Sequence, residues 1–168
     1  LPGDALAAET LVLAPRGQYA LFAALDELTP GHELAVTLAE AISREGFDPA
    51  VFAALCSPNL MTATQRIATH KRLLGPVRVH AEDGPDHFEV EVVWPAGDPP
   101  PPVLPRLDVA FWVALARTAT RTRVVPQQVV LPRSGADHAE LESWLGTRVT
   151  RGEATRVRFS PLDARRPF

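Results

Sequence analysis

The chain's one lysine, Lys71, sits in the run Thr69-His70-Lys71-Arg72, and its one cysteine, Cys56, lies about one helical turn before the capped helix that carries that run. These groups, the five histidines and the carboxylates are where catalysis or ligand binding has to be sought. His32, His70, His80, His87 and His138 are scattered, and none stands in an HxxxH or CxxC relation that would put two metal ligands on one side of an element. His80 and His87 come closest, on the two arms of one hairpin but on its polar side, and read as solvated; no metal site is expected. A nucleophile needs a sharp turn or helix start and a base in reach. Cys56 precedes a helix, where its pKa could fall, yet it follows the apolar Phe52-Ala53-Ala54-Leu55 and is expected to be a core residue. There is no GxSxG, no glycine-rich phosphate loop and no HExxH. Glu89 and Glu91 share a polar strand face and read as a solvated sheet edge, so no catalytic residue and no cofactor is predicted.

Binding chemistry is better represented. His70 and Lys71 fall near the apolar stripe of their helix, beside Ile67 and Leu74. Two readings stand: cations in a last turn are favoured by the helix dipole by about 0.3–1 kcal/mol each, or one of them presents a charge to a ligand carboxylate over the edge of the core. Phe88 and Trp94 lie on the buried face of a strand, and Phe111-Trp112 on a helix that is apolar nearly all round. Adjacent helical residues point about 100° apart, so one of the last two faces something other than the main core. A pocket between sheet and crossing helix, with Arg117 or Arg121 near one end, would suit a small molecule. The candidate ligand-binding residues are therefore His70, Lys71, Trp94, Phe111, Trp112 and Arg117.

The elements that must position them follow from periodicity. Tyr19, Phe22, Ala23 and Leu25 predict a helix over 18–28. Thr29-Pro30 opens a second, with Leu34, Leu38, Ala41 and Ile42 on one face and Gly46 as its stop. Ser57 and Pro58 cap a third, whose stripe is Leu60, Ala63, Ile67 and Leu74 and whose stop is Gly75-Pro76. The period then becomes two. Val77, Val79 and Ala81 oppose Arg78, His80 and Glu82, and Phe88, Val90, Val92 and Trp94 oppose Glu89 and Glu91, which predicts an antiparallel hairpin with one buried face. The proline-rich 95–105 reads as an exposed loop. A long buried helix from Leu107 with a basic end at Arg117, Arg121 and Arg123 follows, then a strand over 125–132, a helix over 137–146 and a second hairpin over 147–159 turning at Gly152. The fold class is α+β: N-terminal helices and one long central helix packed on a mixed or antiparallel sheet of about five strands.

Bulk properties agree with a single domain of 168 residues, 46% hydrophobic and 22% charged. With a net charge of −3 and a pI near 6.0, the chain lacks the basic footprint of a duplex-binding module. No apolar run is long enough to span a bilayer, and the single cysteine points to a reducing compartment; the cytoplasm is expected. The chain starts at Leu1 rather than a methionine, which leads to the expectation of a processed or excised piece of a longer protein.

The segment Phe47 to Val79, with its Ser57-Pro58-Asn59-Leu60 cap, Ala63, Arg66, Ile67 and the His70-Lys71-Arg72-Leu73 run, resembles the N-terminal effector-sensing domain of AraC/XylS-type bacterial transcription regulators, in the arabinose-binding-domain-like group. The likeness continues more loosely through the hairpin, the helix from Leu107, the helix to Trp144 and the closing RVRFSPLDARRPF. The resemblance implies a regulatory, non-enzymatic domain over 1–168 that binds a small metabolite and acts on promoter DNA only through a helix-turn-helix domain expected beyond Phe168. It further implies dimerisation and no membrane partner. The arabinose of the group's name does not carry over, because members bind varied effectors, and the helix-rich start departs from the cupin barrel of the arabinose sensor. The competing reading is a ligand-free dimerisation or protein-interaction module.

Overall fold

The computed structural model describes residues 14–29, 34–45, 49–74, 77–132 and 137–168. Within them the order is α1 (Pro15–Leu28), α2 (Leu34–Glu45), α3 (Pro49–Leu55), α4 (Leu60–Leu74), β1 (Arg78–Asp83), β2 (Phe88–Val93), α5 (Val103–Thr120), β3 (Gln128–Pro132), α6 (Ala139–Leu145), β4 (Val149–Gly152), β5 (Thr155–Phe159) and α7 (Pro161–Arg165). This is the α+β architecture that the pattern predicts, with five strands in one sheet ordered β1-β2-β5-β3-β4.

The apolar helix α5 is the axis of the fold. Val109, Trp112, Val113, Leu115 and Ala116 are all but inaccessible to water, because the inner sheet face (Phe88, Val90, Val129, Leu131, Val157, Phe159) lies on one side of it and α2 lies along another. A helix buried on both sides has to be apolar most of the way round. Its first turn corrects the loop prediction: Val103, Leu104 and Pro105 are buried and helical. Proline is tolerated in a first turn, where its absent N–H has no partner to lose, and burial of Val103 and Leu104 draws the winding back into the proline run. At the other end α5 stops at Thr120, because Arg121 adopts a left-handed conformation (φ 52°).

Two short helices have no counterpart in the pattern reading. The seven residues of α3 are apolar almost throughout and show no period, and α7 has only five residues. Ser160 caps α7, its Oγ accepting from the Asp163 N–H at 3.0 Å. The cap of α4 is Asn59 rather than Ser57: Asn59 Oδ1 accepts from the Thr62 N–H at 3.0 Å, while Ser57 Oγ donates back to the Ala53 carbonyl. Arg66 explains why the Ser-Pro-Asn-Leu segment and an arginine seven residues after Asn59 go together. Its Nη1 reaches the carbonyls of Ala53 and Cys56 and the Ser57 hydroxyl at 3.0–3.3 Å, closing the C-terminal end of α3. The predicted helix boundaries at Pro30, Gly46 and Gly75-Pro76 lie outside the described residues, as does His32.

The first hairpin forms as predicted, Val79 opposite Val92 and Ala81 opposite Val90. The second does not. β4 and β5 follow one another in sequence, but β3 lies between them, parallel to β4 (Val129 opposite Val149) and antiparallel to β5 (Val129 opposite Val157). Alternation identifies both strands without saying what each pairs with, and the α6 crossover makes the parallel β3–β4 pairing available. Gly152 is therefore not a hairpin turn but a close approach: a Cβ there would come within 2.6 Å of Val130 Cγ1. On the outer sheet face Glu89 is also no solvated edge. It is 8% exposed and is paired by Arg158 directly opposite and by Arg156, which also reaches Glu91.

Candidate functional site

The N-terminal half of α5 carries one acid, Asp108, on a helix whose neighbouring residues are apolar or buried. Burial puts this carboxyl in poor contact with water: the residue is 9% exposed. Lys71, near the end of α4, brings Nζ to 3.5 Å from Asp108 Oδ1. Trp94, one residue past β2, lays its indole N–H beside the same carboxyl and helps stabilise its charge. The burial outweighs both partners and holds the Asp108 pKa above the usual carboxylate range. Asp108 Oδ2 and Trp94 Nε1 are both buried without a well-formed hydrogen bond, a state that natural structures rarely leave without a reason.

Through Trp94 this polar centre adjoins an apolar and aromatic cluster. Tyr19 on α1 meets Trp94 edge to face, ring centres 5.9 Å apart. Leu38 on α2, with Leu104 and Leu107 on α5, belongs to the same small cluster, which Leu107 joins to the main core. Partial burial and the negative charge of Asp98 raise the Tyr19 pKa. Arg106 Nη2 reaches both oxygens of Asp26 at 2.8–2.9 Å and ties α1 to α5, while at the exposed start of α1 Arg16 reaches Asp98 at 2.9 Å. Lys71 remains about one-third exposed (35%), so the cluster opens to water on the side of α4. Such an arrangement can bind but has no nucleophile and base in hydrogen-bond reach of one another. It offers one acceptor, two donors and an aromatic wall.

Of the six residues singled out in the sequence, the structure brings Lys71 and Trp94 together and disperses the rest. His70 is exposed, its Nδ1 2.9 Å from the Arg66 carbonyl one turn back. Trp112 is 1% exposed in the main core, and Phe111 packs against it at 5.2 Å and partly against the same core. Arg117 joins elements: Nε donates to the Val124 carbonyl, Nη1 and Nη2 donate to those of Trp144 and Leu145 at 3.0 Å, and the guanidinium lies 4.4 Å from the Trp144 ring centre. It closes the C-terminal end of α6. Burial and the charge of Arg123 lower its pKa. The residues that pattern reading missed are Asp108 and Tyr19. One signal was available for the first, an isolated acid in a helix otherwise apolar nearly all round.

Elsewhere the chemistry is sparse. Cys56, predicted to be buried, is exposed: α3 ends at Leu55, and Ala54 and Leu60 take the inward positions on either side. His80 lies opposite Glu91, and the ring of His87 lies against Gly84, so the two histidines are not brought face to face. No group of metal-binding side chains occurs among the described residues. An open groove of about 760 Å³ runs past Asp86, His87, Gln128, Arg148, Thr150 and Arg158, at the opposite end of β2 from Trp94. No helix among the described residues is long and apolar enough to cross a membrane.

Comparison with known proteins adds two findings. A family model described as the arabinose-binding domain of AraC transcription regulator, N-terminal, matches residues 1–168. Among solved structures, the chain is similar to the transcriptional regulator CdpR from Pseudomonas aeruginosa, with a TM-score of 0.61 and 15% sequence identity over 93% of this chain and 52% of that one. The chain thus spans about half the length of that regulator, and at this identity the likeness concerns the fold. No curated protein matches.

Proposed function

Because the chain belongs to the family of N-terminal arabinose-binding domains of AraC-type transcription regulators, we propose that it is the effector-sensing part of such a regulator. In this reading it acts in the cytoplasm without catalysing a reaction. It binds a small metabolite at the Lys71–Asp108–Trp94 cluster and alters how a DNA-binding domain, carried beyond Phe168, engages its promoter. Homodimerisation belongs to the same proposal. The observation that carries it is the buried Asp108 carboxyl, whose Oδ2 and the adjacent Trp94 N–H make no well-aligned hydrogen bond among the described residues. A group kept at a cost to stability next to a partly exposed lysine and an aromatic wall suits a ligand site better than it suits a core.

The mechanism needs no more than a difference in affinity. A ligand that binds one arrangement of the regulator better than another shifts the population towards it, by no more than that difference. In this reading α4 carries the shift. Lys71 sits near one end of α4, while the other end of that helix packs near the C-terminal segment, where the Phe168 N–H donates to the Pro58 carbonyl at 3.1 Å.

Thermal melting tests the proposal. At a hundred times its dissociation constant an effector adds about 2.7 kcal/mol, which for a domain of this size raises the melting temperature by roughly 5–10 °C. Trp94→Phe should abolish that rise while leaving the unliganded protein folded. A melting temperature that responds to protein concentration and to no metabolite would instead establish the alternative, a ligand-free dimerisation or interaction module.

A further inference from the structure

The ligand of this cluster can be characterised from what the cluster leaves unsatisfied, an argument that rests on the effector-site reading above. Asp108 Oδ2 and Trp94 Nε1 lie near one another in the interior, and among the described residues neither makes a well-aligned hydrogen bond, to the other or to a third group. The Lys71 ammonium approaches Asp108 Oδ1 only to 3.5 Å, an ion pair without a close hydrogen bond, and stays partly in water. A ligand completing the site must therefore donate to a carboxylate while accepting from an indole N–H and an ammonium. Charge narrows the choice. Asp108 and Lys71 together are neutral, so a ligand of net charge would leave one of them opposed by a like charge, which costs more in a desolvated site than in water. A hydroxyl can both donate and accept but brings no charge to a carboxylate that burial leaves poorly compensated. A molecule carrying an ammonium and a carboxylate on neighbouring atoms satisfies both poles.

We infer that the cluster takes a zwitterion of the α-amino-acid class, its ammonium group on Asp108 Oδ2 and its carboxylate between Lys71 Nζ and Trp94 Nε1. Tyr19, Leu38 and Leu107 supply an apolar and aromatic wall for its side chain, so apolar or aromatic amino acids fit better than acidic ones. Binding changes no covalent bond: it replaces the loose Lys71–Asp108 pair by two charge-assisted contacts to the ligand.

Thermal melting and tryptophan fluorescence of the protein with the common L-amino acids, each at millimolar concentration, test this. At least one amino acid should raise the melting temperature, and its N-acetyl and carboxamide derivatives, each lacking one pole, should not. Asp108→Asn should weaken its binding about 10- to 150-fold, the range expected for a hydrogen bond between charged groups. Lys71→Gln, which removes the cation facing the ligand carboxylate, should likewise weaken binding of the amino acid, and the matching decarboxylated amine should not raise the melting temperature of the parent. No response to any amino acid, or an N-acetyl derivative that binds as well as its parent, overturns the inference. Polyols, organic acids and simple amines run in parallel separate that failure from a failure of the effector-site reading. A response to one of these that Trp94→Phe removes keeps the site and discards the zwitterion, and silence from every class discards both.

Discussion

Replacing Asp108 by asparagine tests whether this carboxylate is held for binding rather than for stability. The Lys71 ammonium is 3.5 Å from it, which at an effective dielectric constant near 20 corresponds to an attraction of about 5 kcal/mol. The lysine side chain is 35% exposed, so water screens part of that attraction. Against it stands the desolvation of a carboxylate whose side chain is 12% exposed, a penalty of several kcal/mol even after relaxation. The raised pKa of Asp108, with burial as its largest cause, decides that desolvation wins. Asparagine keeps the shape and an acceptor for Lys71 or Trp94 without a charge to desolvate. Asp108→Asn should therefore be as stable as the parent at pH 7 or more stable, by up to about 1–2 kcal/mol, or roughly 2–4 °C of melting temperature per kcal/mol. The pH dependence has a fixed sign. A carboxyl whose folded pKa lies above its unfolded value binds more protons in the folded state between the two. Its contribution is most favourable below the unfolded value, near 3.8, and is lost as pH rises through the folded value. Urea titrations of parent and variant at several pH values should show the advantage of the variant growing from acid towards neutrality. A variant less stable than the parent by more than about 1 kcal/mol at pH 7, beyond the usual effect of a neutral surface change, would refute the reasoning.

Two further outcomes are expected. His138 is buried with neither ring nitrogen hydrogen-bonded among the described residues, and burial followed by the charges of Arg106 and Arg151 lowers its pKa, against the weaker opposing influence of Glu142 and Asp137. The unfolded chain then binds the proton first, so stability should fall as pH drops below about 6.5, by at most about 1.4 kcal/mol per pH unit; His138→Gln should flatten that slope in denaturant titrations, and an unchanged slope would assign it elsewhere. Arg117→Ala should lower stability by about 2–3 kcal/mol, because the carbonyls of Val124, Trp144 and Leu145 lose one charged donor together; Arg117→Lys should recover little of it, since an ammonium cannot reproduce the guanidinium fork over the Trp144 ring, and full recovery by lysine would contradict the geometry.

Much of the fold was legible in the chain because it rests on local periods. The apolar stripe of Leu60, Ala63 and Ile67 marks α4, and the alternation of Phe88, Val90 and Val92 marks an inward face of β2 that the structure buries. Gly146, with φ of 81° and its N–H on the Glu142 carbonyl, ends α6 where the pattern ends it. Pairings and boundaries set by distant contacts were not legible. The position of β3 between β4 and β5, the winding of α5 back to Val103, the exposure of Cys56 and the pairing of Glu89 all depend on what packs alongside.

The candidate site divides in the same way. Lys71 and Trp94 stand out by residue type, a single lysine at a helix end and a large aromatic after a strand. Nothing in their spacing links them to each other, to Tyr19 or to Asp108, which lies 37 positions after Lys71 in the chain. Side-chain period records which face of its own element a residue occupies and carries no information about which other element meets that face. The sequence alone determined the longer elements and most of their inward faces, and it carried the family's motif. Tertiary packing decided that a buried carboxylate on α5 would meet the one ammonium of the chain, because the cost of burying that charge depends on which elements close around it.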